Sequence, residues 1–176
     1  MNDEKNIILE MKNISKSFGK NQVLKGINLK IHAGTVMGLM GENGAGKSTM
    51  MKILFGIYTR DDGEILLGDN LVEFSGPKDA LENGVAMVHQ ELNQCLERSV
   101  VDNLYLGRYP MKLGVIDEKQ MENDAKLLFK KLGMNVDVKA KMKTMSVAKR
   151  QMVEIAKAVS YNSKIIVLDE PTSSLT

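Results

Sequence analysis

The stretch Gly41-Glu42-Asn43-Gly44-Ala45-Gly46-Lys47-Ser48 constrains this chain more than any other. It follows the pattern G-x-x-x-x-G-K-[ST], and each part has a physical reason. Gly41, Gly44 and Gly46 are expected to let the backbone turn where a Cβ would forbid it, so that successive N–H groups converge on an anion. A helix beginning near Lys47 adds the positive end of its dipole. The Lys47 ammonium can reach β- and γ-phosphate oxygens, and the Ser48 hydroxyl can ligate Mg²⁺. Residues 36–40, Val-Met-Gly-Leu-Met, read as a fully buried strand leading into the loop. The residues after it, "MMKILFGIY", have helical character up to Gly56. A chance glycine-rich turn would not need those flanks. The segment therefore implies a site for a nucleoside triphosphate.

A second constraint lies near the other end. Ile165-Ile166-Val167-Leu168 runs straight into Asp169 and Glu170. A phosphate-binding loop needs an acid for its metal, delivered from the tip of a neighbouring parallel strand. Asp169 is expected to hold Mg²⁺ through water. Glu170, one position on, points elsewhere and can orient or deprotonate an attacking water. Adjacent carboxylates repel one another, and a bound cation offsets that. Taken alone, the pair reads equally well as a strand-end turn with exposed acids.

Composition narrows the class. At 176 residues the chain fits one domain with its own core. A net charge of only +2 gives no global field towards nucleic acid or an anionic membrane. The basic stretch Lys139, Lys141, Lys143, Lys149 and Arg150 reads better as a solvated face than as a polyanion site. The single cysteine, Cys95, excludes an intrachain disulfide and fits a reducing compartment. The N-terminus is not a secretory signal. No apolar run approaches the roughly 18 residues of a membrane span, so work at a membrane would go through a partner.

The remaining chain reads as alternating elements. Residues 7–11 and 23–31 have the pattern of half-buried strands, a short strand follows the turn at 61–63, and 85–90 form another buried strand. Residues 75–84 suggest a short helix with Pro77 in its first turn and Gly84 at its C-terminal end. A helix over 117–132 has Asp117 and Gln120 at capping-box-like spacing. Met121, Ala125, Leu128 and Leu132 share a face, and Gly133 stops the helix. Another runs from Val147 to Val159, with Ser146 as N-cap and Met152, Ile155, Ala156 and Val159 on one side. Strands at both ends around a helical block suggest an α/β core with a helical insertion.

With these motifs in order, the whole chain resembles the nucleotide-binding domain of ATP-binding cassette (ABC) proteins. "SKSFGK" resembles the family's aromatic loop, "ENGAGKST" its P-loop, "VHQEL" its Q-loop, and "DEPTSSLT" its Walker B end and D-loop. The resemblance implies an α/β P-loop NTPase (RecA-like) core with an N-terminal antiparallel β subdomain and a helical ABC subdomain. The β subdomain and core would occupy about 6–90, the helical subdomain about 91–160, and the Walker B strand and D-loop 161–176. It implies that ATP and Mg²⁺ bind at Phe18, Gly41, Glu42, Asn43, Gly44, Ala45, Gly46, Lys47, Ser48 and Thr49, with Phe18 stacking on adenine. Metal contacts would come from Ser48, Gln90 and Asp169, and catalysis from Glu170, Lys47 and Gln90. Gln90 would also couple the nucleotide to a membrane domain.

The longer spellings "GLMGENGAGKSTMMKILFGIY", "SVVDNLYLGR" and "QMVEIAKAVSYNSKIIVLDEPTSSLT" resemble the first cassette of bacterial monosaccharide importers of the galactose/methyl-galactoside kind. Ribose and xylose relatives share much of this. That kinship implies a peripheral protein on the cytoplasmic side of the inner membrane. Its partners would be a second cassette, permease subunits and, indirectly, a sugar-binding protein, with no nucleic acid. One departure stands out. Where the family has L-S-G-G-Q, this chain has Met145-Ser146-Val147-Ala148-Lys149. Ser146 to Lys149 would still act across a dimer, through the Ser146 hydroxyl and the following helix N-terminus. Val147 is a poor occupant of any position with φ above zero.

Three other readings remain. One is a soluble ABC protein acting on DNA or ribosomes, which the weak charge and importer-like spelling disfavour. Another is a P-loop GTPase or kinase; the [NT]-K-x-D guanine-reading motif of a GTPase is absent. The third is a non-catalytic binding module. The family pattern continues beyond the D-loop to a histidine contacting the γ-phosphate, and His32 and His89 do not occupy that place. The expectation is a C-terminally truncated cassette. Such a chain should bind Mg-ATP yet hydrolyse it poorly; steady, robust turnover in a phosphate-release assay would contradict this.

Overall fold

A computed structural model of the chain describes residues 7–169. Two compact units divide near Val85. The first is built on a long hairpin of β1 (Ile7–Phe18) and β2 (Asn21–His32). Strands β3 (Asp62–Leu67) and β4 (Asn70–Leu71) extend it to an antiparallel sheet of order β2-β1-β3-β4. Along β1 the buried positions are Leu9, Met11 and then Ile14, one residue out of step with strict alternation. The slip falls at Asn13, whose φ is 53°. Register shifts on both flanking strands there mark a bulge that re-aims the side chains after it.

Helix α1 (Lys47–Leu54) buries Met50, Ile53 and Leu54. Helix α2 (Pro77–Glu82) begins at Pro77, whose fixed φ and missing N–H suit the first turn. Gly84, in the left-handed region, ends it. The sequence leads residues 36–40 to be read as a buried strand, and the structure overturns that reading. They are irregular and exposed, Met40 by 90%. A run of apolar residues shows that a strand could be buried but not which ladder would receive it. In the described residues no sheet includes this segment.

The second unit opens with β5 (Val85–Val88), buried throughout and paired with β8 (Ile165–Leu168). Strand β8 alternates, with Ile166 and Leu168 exposed, instead of being apolar on two buried faces as its sequence suggests. Between these strands lie α3 (Val100–Leu104), the small hairpin β6 (Met111–Lys112) and β7 (Val115–Ile116), α4 (Glu118–Lys131) and α5 (Val147–Val159). Asp117 caps α4 by accepting the Gln120 N–H at 3.0 Å, and lysines 130 and 131 sit at its negative end. Val100, Leu104, Met121, Ala125, Phe129, Val138, Met142, Val153 and Ala156 form the core of this unit. Leu128 and Leu132 pack at its edge while Phe129 fills the centre, so the buried face of α4 is turned slightly from the expected one. On α5 the buried positions are Gln151, Val153, Ala156 and Ala158, and Met152 is exposed, contrary to the periodicity reading. A buried glutamine dilutes the apolar signal on which that reading depended.

Phe129 is among the largest fully buried side chains. Phe129→Ala should therefore destabilise the chain by about 3–5 kcal/mol. Urea unfolding followed by circular dichroism should show the lowered midpoint, and Phe129→Leu should lose much less.

Candidate functional site

In the first unit, the glycine-rich loop runs from the exposed segment into α1. Gly44 and Gly46 have φ of 83° and 87°, in the left-handed region. Gly46 is the N-cap of α1, which has no side-chain cap. It is also buried against β2. A Cβ there would lie 2.6 Å from Leu24 Cδ2, 3.2 Å from Val23 O and 3.3 Å from Val23 Cγ1. Gly41 departs from expectation. It is absent from the left-handed positions, and a Cβ there would meet Ala45 Cβ at an ordinary 3.4 Å. The loop's conformational demand thus falls on two of its three glycines.

Lys47 closes the loop. Its Nζ donates to the carbonyls of Gly41 at 2.7 Å and Glu42 at 2.9 Å. A second turn is fixed by the Ala45 N–H donating to Glu42 O at 3.1 Å. The loop so closed leads into α1, which begins at Lys47 and whose dipole and first-turn amides favour an anion. Residues 41–45 and Ser48 are exposed, and Lys47 and Thr49 are half-buried. Such an arrangement can cradle a polyphosphate in the manner of helix N-terminal anion sites.

Phe18 ends β1 and is 44% exposed. Its neighbour is a residue that the sequence did not mark: Tyr58, whose ring meets it edge-on at 5.2 Å and 72°. Lys16 Nζ lies 5.6 Å from the Phe18 ring, and Lys52 Nζ lies 5.7 Å from the Tyr58 ring. Asp61, read from sequence as only a turn residue, anchors this strand end. Its carboxylate accepts from Lys16 Nζ at 2.7 Å and from the Ser17 N–H at 2.6 Å. These bonds, Lys16 first, hold the Asp61 carboxyl below the usual carboxylate range. The tie is therefore complete at neutral pH and is lost only as pH falls through that lowered value.

In the second unit, β5 leads to His89 and the exposed Gln90, and β8 leads to Asp169. The Asp169 N–H donates to Val88 O at 3.1 Å, which continues the strand pairing up to the acid and brings the ends of β5 and β8 together. Glu170 lies outside the described residues, as do Ser173 to Thr176 of the D-loop reading. Ser146 N-caps α5 by accepting the Lys149 N–H at 3.4 Å, as expected. Val147 is the first residue of α5 and is absent from the left-handed positions, so its β-branch meets no positive-φ demand. Ser146, Val147, Ala148 and Lys149 are all exposed, which presents the positive end of α5 to solvent. No cluster of three or more His, Cys, Asp or Glu side chains fit to hold a metal occurs among the described residues.

Gly46→Ala places a left-handed alanine against β2. It should cost about 1–2 kcal/mol in backbone strain and roughly 1–3 kcal/mol in overpacking. Gly41→Ala should stay within about 0.5 kcal/mol of the parent. Paired denaturant titrations of the two variants check this contrast.

Comparison with known proteins agrees with this geometry. The family model described as ABC transporter matches residues 24–173. Among curated relatives, the galactose/methyl galactoside import ATP-binding protein MglA of Treponema denticola is 69% identical over 97% of this chain and 34% of its own length. The protein of the same name from Escherichia coli K12 is 52% identical over 96% of this chain and 33% of its own. The chain thus spans about a third of the length of these relatives. Among solved structures, an ATP-binding cassette of an ABC transporter in its ADP conformation superposes with a TM-score of 0.83 at 26% identity, covering 97% of this chain and 71% of that one. The cbiO1 protein of Clostridium perfringens, part of the transporter complex cbiONQ, gives 0.82 at 27% identity, covering 97% and 68%. With its mixed α/β fold and antiparallel β subdomain, the chain belongs to the ABC transporter family.

Proposed function

We propose that this chain binds and hydrolyses ATP as part of a bacterial importer for monosaccharides, galactose or methyl galactoside being the favoured cargo. The carrying observation is the closed loop at 41–48, with Lys47 Nζ on the Gly41 and Glu42 carbonyls and Gly46 locked against β2. The sugar reading is supported by relatives at 52% and 69% identity that are galactose/methyl galactoside import ATP-binding proteins.

In this reading Lys47 gives up its two carbonyl bonds to the β- and γ-phosphates, and the α1 amides take the remaining oxygens. Phe18 supplies a face for adenine, steadied by Tyr58 and by the Asp61 tie. The Ser48 hydroxyl in the first unit is an oxygen donor of the kind Mg²⁺ takes, as are the Asp169 carboxylate and the Gln90 amide in the second unit. Mg²⁺ held by such residues would also take phosphate oxygens and water as ligands. Bound there, the cation would neutralise charge on the phosphates. Glu170 would orient or deprotonate the attacking water, and Gln90 would sense the γ-phosphate. Ser146 to Lys149 would meet the nucleotide of a second cassette, offering a hydroxyl and the α5 dipole.

No helix of the described residues is long and apolar enough to cross a membrane. On the strength of the import ATP-binding proteins it is similar to, we place the chain at the cytoplasmic face of the cell membrane through permease subunits, which a sugar-binding protein would supply with cargo. Cells lacking the chain should lose uptake of labelled methyl galactoside.

Binding of a fluorescent ATP analogue tests the site. Lys47→Ala should weaken binding at least about tenfold, equivalent to ~1.4 kcal/mol. Asp169→Asn should keep metal-free binding and lose the gain that Mg²⁺ brings. A Lys47→Ala protein that binds ATP like the parent would sink the assignment.

A further inference from the structure

The base and the triphosphate are opposite ends of a nucleotide, so a site for both must fix two surfaces relative to each other. In the first unit those surfaces, Phe18 and the loop at 41–48, come from segments far apart in sequence. Helix α1 and the turn after it join them. The Lys52 carbonyl, near the end of α1, accepts the Ile57 N–H at 2.8 Å and the Tyr58 N–H at 3.2 Å. Gly56 makes the turn with φ of 73°, and a Cβ there would lie 2.9 Å from both Gly76 O and Phe74 Cβ. Tyr58 therefore leaves α1 at a fixed place. Its ring has Lys52 Nζ at 5.7 Å and meets Phe18 edge-on at 5.2 Å.

Three residues on, Asp61 grips the strand behind Phe18. Its N–H donates to Ser15 O at 2.9 Å. Its carboxylate takes the Lys16 ammonium and the Ser17 N–H, from the two residues before Phe18. Lys16 has only 13% of its side chain exposed, so this ion pair is sheltered on one side. Segment 57–61 thus touches the Phe18 ring and pins the backbone that carries it. A phenylalanine 44% exposed at a strand end would otherwise sample its staggered rotamers. The edge-on ring of Tyr58 selects one arrangement. Both residues act on Phe18, whereas the loop at 41–48 is closed by its own bonds, those of Lys47 and Ala45.

We propose that Tyr58 and Asp61 are positioning residues for the base of a bound nucleotide. They fix the Phe18 ring with respect to α1, and so set the affinity for the nucleoside half without changing that for the triphosphate half. This deepens the nucleotide reading of the site and rests on it. A ring already held in place loses no rotamer freedom when a base stacks on it, and that saving is what the two residues supply.

Calorimetric titration of the intact chain with ATP and with inorganic tripolyphosphate, each with Mg²⁺, separates the two halves. The parent should bind ATP more tightly, because stacking adds to the phosphate grip. Tyr58→Leu and Asp61→Ala should each weaken ATP binding about threefold to tenfold. Both should leave tripolyphosphate within about twofold of the parent. Tyr58→Phe, which keeps the ring, should bind ATP like the parent. Equal losses for the two ligands, in a variant with the parent's circular dichroism, would mean a merely structural role and overturn the proposal. Parent-like ATP affinity in either variant overturns it as well. Asp61 is exposed, so Asp61→Ala keeps the test decisive if Tyr58→Leu does not fold. A parent that binds the two ligands equally overturns the proposal and leaves the phosphate loop standing. A parent that binds neither overturns both.

Discussion

Gly46 sits so close to β2 that a single added carbon would lie 2.6 Å from Leu24. That contact seats the loop on the rigid hairpin of the first unit. The hairpin supplies a scaffold that a solvent-exposed loop could not supply for itself. Once Gly46 is fixed in the left-handed region, α1 must start at Lys47, and Lys47 must rise beside the loop it follows. Its ammonium folds back to the Gly41 and Glu42 carbonyls at 2.7 and 2.9 Å. Preorganisation of this kind costs little when phosphate arrives, since a charged donor exchanges one set of oxygens for another.

The second unit solves a different problem. Its apolar core is made by α3, α4 and α5 together with Val138 and Met142, and it leaves the chain after Gln90 on the surface. Surface chain is mobile unless something holds it. Here the hold is polar and directional: the buried Asn103 side chain bonds both backbone groups of Cys95, and Gln94 Nε2 donates to the Arg150 carbonyl. The cap on α5 is likewise a small polar device, one serine hydroxyl, and it leaves the helix start open to whatever approaches.

Local chemistry explains what could be read from the amino acids. The α5 boundaries, Val147 to Val159, follow from a serine cap and a break in periodicity, both within a few residues of the ends. The loop at 41–48 is legible for the same reason. What escaped depends on pairing across long separations. Asp61 meets Lys16 across 45 residues, and Tyr58 meets Phe18 only because β1 and the chain after α1 come together. Asn103 is invisible in "SVVDNLYLGR", where a polar residue in a short helix looks like a solvated one. The misreading of 36–40 belongs here as well, because strand formation is settled by neighbours. The demand placed on Gly41 failed for a smaller reason: a motif records residue types, while φ is decided by the turn they make.

The open stretch at 36–40 has a practical consequence. Val36, Met37, Leu39 and Met40 are exposed apolar residues on irregular chain outside any sheet of the described residues. An exposed apolar patch of this kind favours association between molecules. Preparations of this chain will therefore tend to self-associate as concentration rises. A charged residue in place of Val36, five residues before Gly41, would restrain that tendency.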